Sequence, residues 1–231
     1  MKEVEKRYSK IYDKFPREFL LLQGQGCAWK KCTYCDYFHD ISDNFVEINQ
    51  KVIEKITGEF GVLDVINSGS IIELDDKSLN FLIKKAQEKN IKEIWFEAHW
   101  IYRDKLAEFA KKFPGINVKY RIGIETIDPK FWTLWQKGIP ENTKIEEISK
   151  YFQGACLLIG IKNQNLTQIE RDINLSLEHF EHTTLSVFIE NSTNTVRDEK
   201  LIRDFLTKIY PKIKSNPKIE ILINNTDLGV G

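Results

Sequence analysis

The segment Cys27-Ala-Trp-Lys-Lys-Cys32-Thr-Tyr-Cys35 carries the clearest chemical signal in this chain. Three of the four cysteines fall within nine positions, and three soft thiolates on one loop can hold zinc or an iron–sulfur cluster. Structural zinc normally takes four ligands, often from two paired-cysteine knuckles. No second knuckle follows, and His39 is the only obvious fourth donor. Three cysteines alone suit a cluster with one iron left open, so a Cys3His zinc site and an iron cluster both stand on the residues. Cys156 lies far along the chain and reads as a small buried residue. Clustered thiols without a signal sequence predict a metal site in a reducing cytoplasm.

Such a loop needs a frame. The chain has 231 residues, 42% hydrophobic and 29% charged. A soluble domain of this size buries about 70 to 75% of the surface its unfolded chain exposes, which excludes a disordered chain or a disulfide-dense peptide. Short apolar or β-branched runs recur at 19–23, 63–67, 93–97, 118–124, 157–162, 185–190 and 219–224, with helical stretches between them. That alternation predicts a parallel sheet with crossover helices. Segments 75–88 and 102–112 space their apolar residues three and four apart behind an acidic start, the pattern of amphipathic helices. With strands roughly 25 to 45 residues apart, the expected fold is α/β: a single domain over residues 1–231, a partial or irregular TIM-like (β/α) barrel of six to seven parallel strands. The last helix should stop near Tyr210-Pro211, and Ser215-Asn216-Pro217 should turn into the final strand.

Lys+Arg and Asp+Glu both number 34, so no global positive field would hold a nucleic-acid backbone. A small neutral or zwitterionic substrate is expected instead. The longest apolar runs, 19–22 and 156–161, fall far short of the roughly 20 residues that span a bilayer. The opening MKEVEKRYSK has no apolar core, so neither a secretory leader nor a membrane span is expected.

The cysteine loop resembles that of the radical S-adenosylmethionine (SAM) enzymes, which follows the first barrel strand and usually spaces its cysteines by three residues and then two, with an aromatic before the last. Here the second gap fits, Tyr34 is the aromatic, and the first gap holds four residues. The resemblance implies a [4Fe-4S] cluster on Cys27, Cys32 and Cys35. It also implies SAM on the fourth iron through its amino and carboxylate groups, and one-electron cleavage to a 5′-deoxyadenosyl radical. An electron donor such as flavodoxin or ferredoxin would then be a partner. Asn67-Ser68-Gly69-Ser70, after the second strand, matches the small segment that lies against the methionine amino group, where a side chain would block close approach. Arg121 and Glu125, near the end of the fourth strand, match polar residues that bind the ribose or carboxylate of SAM. Alternation would put Arg121, Gly123 and Glu125 on one face, and a purely structural Arg–Glu pair is the alternative.

The Cys32–Cys35 end, NSGSI, WFEAHW at 95–100 and IGIETIDPKFWTLWQKG at 122–138 look most like the group that contains the archaeosine synthase radical subunit and the bacterial queuine lyases, over roughly residues 17 to 160. Where archaeal relatives carry a Glu followed by an Arg, Glu97 stands with His99. The resemblance implies a 7-deazaguanine substrate. The neutral charge balance favours the free base over a tRNA-bound one, hence a lyase that breaks a carbon–nitrogen bond of queuine to give 7-aminomethyl-7-deazaguanine (preQ1) in salvage. A guanine-like edge offers two adjacent donors that one carboxylate accepts together. Glu97, Glu190 and Asp227 are the carboxylates expected at strand ends, with Asn191 and Asn224 for the remaining polar groups.

His99 could move a proton or bond the diol, whereas His179 and His182 are expected at the end of the helix over 169–180, where its C-terminal dipole accounts for them. Of the tryptophans, only Trp100 is assigned to the substrate. A glycyl-radical partner protein and a non-catalytic zinc module remain the alternatives.

Overall fold

The computed structural model describes residues 7–231. The opening residues 1–6, part of the MKEVEKRYSK reading, lie outside the described residues. Among the described residues eight strands are hydrogen-bonded in sequence order. The chain begins with β1 (Tyr8–Ile11) and β2 (Arg17–Leu21), an antiparallel pair. Then come α1 (Phe45–Ile53), β3 (Val62–Ile66), α2 (Asp76–Glu88), β4 (Glu93–Glu97), α3 (Leu106–Ala110) and β5 (Asn117–Glu125). The rest runs α4 (Pro129–Leu134), α5 (Ile145–Ile148), β6 (Gly154–Ile159), α6 (Leu166–His179), β7 (His182–Val187), α7 (Glu199–Lys208), α8 (Tyr210–Ile213) and β8 (Ile219–Leu222). From β2 to β4 and from β5 to β8 the strands pair in parallel. This is the α/β topology of a partial TIM-like barrel, with β1 as an antiparallel addition that the sequence reading lacked.

Internal contacts gather in two compact units, one of residues 7–30, 37–120 and 226–231 and the other of 31–36 and 121–225. In the first, Phe96 packs against Phe109, Phe113 and Tyr120. A fully buried pair of Arg17, which opens β2, and Asp64, in the middle of β3, stands at 2.8 Å. Beside it the buried Glu18 carboxylate accepts the backbone N–H groups of Thr57, Gly58 and Glu59 and the Tyr8 hydroxyl. Such groups are stable in a core only when paired. Val230 near the chain end packs on Phe19 and Leu21, and Ser9 donates its hydroxyl to the Leu228 carbonyl.

Several boundaries differ from expectation for identifiable reasons. Strand β6 begins at Gly154 and β7 at His182, each three residues early, because buried small and polar residues begin both strands. The buried Thr183 hydroxyl is satisfied by Ser176, 2.7 Å away. His182 is therefore a strand residue and not a helix end, whereas His179 does end α6. The segment expected as one helix over 102–112 is a 3-10 turn, Trp100–Lys105, leading into the short α3. Helix α7 stops at Lys208, but Pro211 sits inside a further turn, α8, where a missing N–H costs nothing. Asn216 then makes the turn into β8, its carbonyl accepting Ile219 N–H at 3.1 Å.

Candidate active site

In the first unit the chain leaving β2 is fixed by reciprocal amide bonds. Gln23 N–H donates to Asn49 Oδ1 at 2.8 Å, and Asn49 Nδ2 returns to the Gln23 carbonyl at 2.7 Å. Gly24 N–H is held by Ser68 Oγ at 2.8 Å. The Gln23 side chain donates to Asp40, which also takes the Arg7 guanidinium on both carboxylate oxygens. These bonds fix the chain on both sides of the cysteine segment.

The turn after β3 is built around a carboxylate that sequence reasoning passed over. Glu73 Oε2 accepts Ser70 N–H at 2.7 Å, while Oε1 accepts Ala28 N–H at 2.9 Å and the Tyr102 hydroxyl at 2.7 Å. Burial, then Glu73, pushes the Tyr102 phenol well above its ordinary range. Ser70-Ile-Ile-Glu73 is the Ser-x-x-Glu spacing of a capping box, a signal present in the sequence. Gly69 is needed here. A Cβ would overlap Glu73 Oε2 and come within 3.0 Å of the Gly26 carbonyl and 3.1 Å of Cys27 Cα. The glycine thus admits the backbone of the first cysteine, a packing reason that stands beside the expected one. Ser70 Oγ also accepts His99 N–H at 2.9 Å, tying this turn to the end of β4.

In the second unit, residues 31–36 are held by several partners. Thr33 N–H donates to the Trp135 carbonyl at 3.1 Å. Thr195 Oγ1 donates to the Thr33 carbonyl at 2.8 Å, and Asn191 Nδ2 to the Tyr34 carbonyl at 2.7 Å. Asp36 takes both the N–H and the hydroxyl of Ser192 at 2.8 Å. Cys32 and Cys35 pack on a buried cluster of Tyr34, Trp135, Ile161 and Phe188. The Tyr34 hydroxyl donates to Glu125 Oε1 at 2.9 Å, and the buried Lys137 ammonium reaches that oxygen at 3.0 Å and the Tyr34 hydroxyl at 2.9 Å. Burial, Glu125 and then the two cysteines push the Tyr34 phenol far up.

Glu125 reaches this position through a break in alternation. The β5–β6 register slips between Gly123 and Glu125. Glu125 has φ 65° and Thr126 N–H bonds back to the Ile124 carbonyl at 2.8 Å, a γ-turn. A non-glycine residue held at positive φ costs about 1–3 kcal/mol and persists only where its surroundings fix it. Thr126 supplies the fixing: its hydroxyl donates to buried Asp172 at 2.5 Å and its carbonyl accepts the Trp132 indole N–H at 2.7 Å. A Cβ on Gly123 would lie 2.6 Å from Glu125 Oε1 and 3.3 Å from Lys137 Nζ, so that glycine makes room for the ion pair. Glu125 therefore pairs with Lys137 and Tyr34, partners that the expected Arg–Glu pair did not include. Arg121 is buried, at 3% exposure.

Glu97 is the last residue of β4 and half-buried. His99 caps the following turn, its Nδ1 accepting Ile101 N–H at 3.3 Å while its ring stacks on Trp29 at 5.2 Å. Trp100 is only 3% exposed and lies under the Arg103 guanidinium, so neither ring face is open to a base. Glu190, Asn224 and Asp227 are exposed and lie beyond the strands expected to carry them, since β7 ends at Val187 and β8 at Leu222. The amide of Asn191 is engaged by Tyr34 and Thr193. His39 is exposed and its ring tilts on Phe38.

All four cysteines are free thiols of intermediate exposure. Among the described residues no three His, Cys, Asp or Glu side chains stand assembled around a metal position. The donor set nonetheless fits an iron cluster: three reduced, accessible sulfurs on one short loop. No helix among the described residues is long and apolar enough to cross a membrane.

A cysteine loop directly after the first parallel strand of a partial barrel is the arrangement by which the chain resembles the class of radical SAM enzymes. The solved queuine lyase from Clostridium spiroforme, bound to SAM and queuine, is 39% identical and covers 98% of this chain and 99% of its own, with a TM-score of 0.93. The chain belongs to the queuine lyase family of that class. SuiB from Streptococcus suis bound to S-adenosylmethionine shares the fold, with 14% identity over 90% of this chain and 51% of its own and a TM-score of 0.55. A stretch of Lactococcus lactis Endonuclease MutS2 is 25% identical over 143 residues, 61% of this chain and 18% of that protein. No family model matches the sequence.

Proposed function

We propose that this chain is a radical SAM lyase that breaks a carbon–nitrogen bond of queuine and releases 7-aminomethyl-7-deazaguanine. The observation that carries the reading is 39% identity over 98% of this chain to a solved queuine lyase bound to SAM and queuine. The enzyme works as one domain in a reducing cytoplasm, with a small nucleobase as substrate and a low-potential protein such as flavodoxin or ferredoxin as electron donor.

Cys27, Cys32 and Cys35 ligate the [4Fe-4S] cluster. When bound, the cluster and SAM supply one-electron cleavage of a sulfonium and so the means to abstract a hydrogen atom. This chain's residues bind and orient. The turn Asn67, Ser68, Gly69, Ser70 receives the methionine end of SAM; Arg121 and Glu125 receive its polar groups, with Tyr34 fixing Glu125. Of the three carboxylates proposed for the base, Glu97 is the one that ends a strand and is half-buried, so it reads the guanine-like edge. A buried donor pair left without an acceptor would cost about 1–3 kcal/mol per group. His99, whose Nδ1 accepts Ile101 N–H, is the residue assigned to move a proton or bond the diol.

Anaerobic incubation with SAM, reductant and queuine tests the reading. The expected products are 5′-deoxyadenosine and the aminomethyl base. Deoxyadenosine without base cleavage would retain the class and discard the substrate, and a preparation that takes up zinc but no iron or sulfide would discard both.

A further inference from the structure

Lys137 stands in a turn after α4 whose flanking residues, Gln136 and Gly138, take φ of 52° and 73°. Its side chain is buried, at 7% exposure. A buried ammonium is tolerated only when paired, and here Glu125 accepts it at 3.0 Å and the Tyr34 hydroxyl at 2.9 Å. Both partners bear on the cysteine segment. Tyr34 lies between Cys32 and Cys35 and packs beneath them with Trp135, whose carbonyl holds Thr33 N–H. The lysine, its carboxylate and two of the three cysteines thus form one contiguous arrangement within a single unit.

The ammonium stays charged in this setting. Burial alone would lower its affinity for a proton, but Glu125, then Cys32 and Cys35, outweigh burial and hold it above the ordinary lysine range. A cation fixed in a poorly solvated place acts on any nearby change of charge far more than one in water. Reducing an iron–sulfur cluster adds one negative charge to its sulfurs and irons, and charge near those sulfurs is one of the terms that set its potential.

We infer that Lys137 is a positioning residue for the Cys32–Cys35 arm, and that its fixed positive charge raises the reduction potential of the cluster which that arm helps to hold. The inference rests on reading Cys27, Cys32 and Cys35 as the ligands. Lys137 fixes the Glu125 carboxylate and the Tyr34 ring beneath the arm, and Glu125 opposes it electrostatically.

The test is a redox titration of anaerobically reconstituted protein, followed by electron paramagnetic resonance without SAM or substrate. Lys137→Met should load iron and shift the midpoint to more negative potential. The expected shift is on the order of tenfold in the reduced-to-oxidised ratio, 59 mV for one electron. Lys137→Arg should restore the midpoint, which a loss of packing alone would not explain. Glu125→Gln should move it the opposite way. A fully loaded Lys137→Met with an unchanged midpoint overturns the inference. So does weakened SAM binding at an unchanged midpoint, which would make Lys137 a cofactor ligand. If Lys137→Met fails to load iron, Glu125→Gln decides alone, because an unchanged midpoint there also overturns it. Failure of the ligand reading is recognised separately, by cysteine-to-alanine variants that keep their chromophore.

Discussion

Gly69→Ala is a stringent test of how the first cysteine is held. The Gly69 backbone lies outside the left-handed region, so the effect of a methyl group is steric. Two of the atoms it meets, the Gly26 carbonyl at 3.0 Å and Cys27 Cα at 3.1 Å, are backbone and cannot rotate away. The third, Glu73 Oε2, can leave only by giving up Ser70 N–H, Ala28 N–H or Tyr102 OH. Overpacking of this kind costs about 1–3 kcal/mol, and hydrogen bonds to a charged acceptor about 1.5–3 kcal/mol, discounted here because Glu73 is half-exposed. A total of roughly 2–4 kcal/mol is expected, equivalent to a fall in melting temperature of roughly 5 to 15 °C for a chain of this size. Gly24→Ala is the control, since its Cβ would meet only Asn67 Nδ2 at 3.4 Å and Ser68 Oγ at 3.5 Å. It should stay within about 0.5 kcal/mol. Thermal unfolding of the iron-free protein measures both, and iron content after reconstitution should fall in Gly69→Ala alone. The losses of Gly69→Ala and Glu73→Gln should be non-additive, because they share partners. A Gly69→Ala protein as stable as the parent and fully loaded with iron would refute the steric argument.

Alanine at Cys27, Cys32 or Cys35 should each abolish the brown chromophore on anaerobic reconstitution, whereas Cys156→Ala, on β6, should keep it. Glu125→Gln should weaken SAM binding in calorimetry with iron content unchanged; undiminished affinity would leave Glu125 a support for Tyr34 and Lys137 only. Glu97→Gln should abolish queuine binding while deoxyadenosine still forms without substrate, and Asp227→Asn, exposed and beyond β8, should bind normally. Burial holds the Asp172 carboxyl above its usual range, against the hydrogen bonds from Thr126 and Arg171. The native state therefore retains a proton that the unfolded chain has lost, so this group's contribution to stability falls as pH rises from about 4 through its raised value. Denaturant midpoints across that window should show a slope that Asp172→Asn flattens.

The strand order was legible because parallel strands covered on both faces announce themselves as apolar runs. Strand β1 was not, since Tyr8-Ser-Lys-Ile11 is four residues long and only half-buried. Strands β6 and β7 slid because β6 opens on the small residues Gly154 and Ala155 and β7 on the buried polar residues His182, Thr183 and Thr184, none of which extends a recognisable run of large apolar side chains. At the site, the cysteine loop stands out by residue type and spacing, whereas the Asn67–Ser70 turn and Glu125 stand out only through the family resemblance. Glu73 was readable as half of a capping box once Ser70 was taken as a helix start. Lys137 carried no signal at all, because a lone lysine in a polar turn looks solvated and only the tertiary structure buries it against Glu125. Asp227 was expected at the barrel mouth because the last run was read through Asn224; β8 ends at Leu222, and beyond it Leu228 and Val230 reach Ser9, Phe19 and Leu21.

The two ends of the four-residue first gap between cysteines are held separately, each within its own unit. Ala28 is fixed by Glu73 on one side of that gap, and Thr33 by Trp135 and Thr195 on the other. Between them lie Trp29, whose ring rests on His99, and Lys30, at φ 49°. The constraint on spacing falls on Cys32-Thr-Tyr-Cys35, where Thr33 and Tyr34 are both held through their backbone and Tyr34 is buried beneath its neighbours. An extra residue there would turn the Tyr34 hydroxyl away from Glu125 and Lys137. Inserting a glycine between Lys30 and Lys31 should accordingly preserve iron loading, whereas the same insertion between Thr33 and Tyr34 should abolish it; equal tolerance at both places would show that the sulfurs, and not the carboxylate anchors, fix the loop.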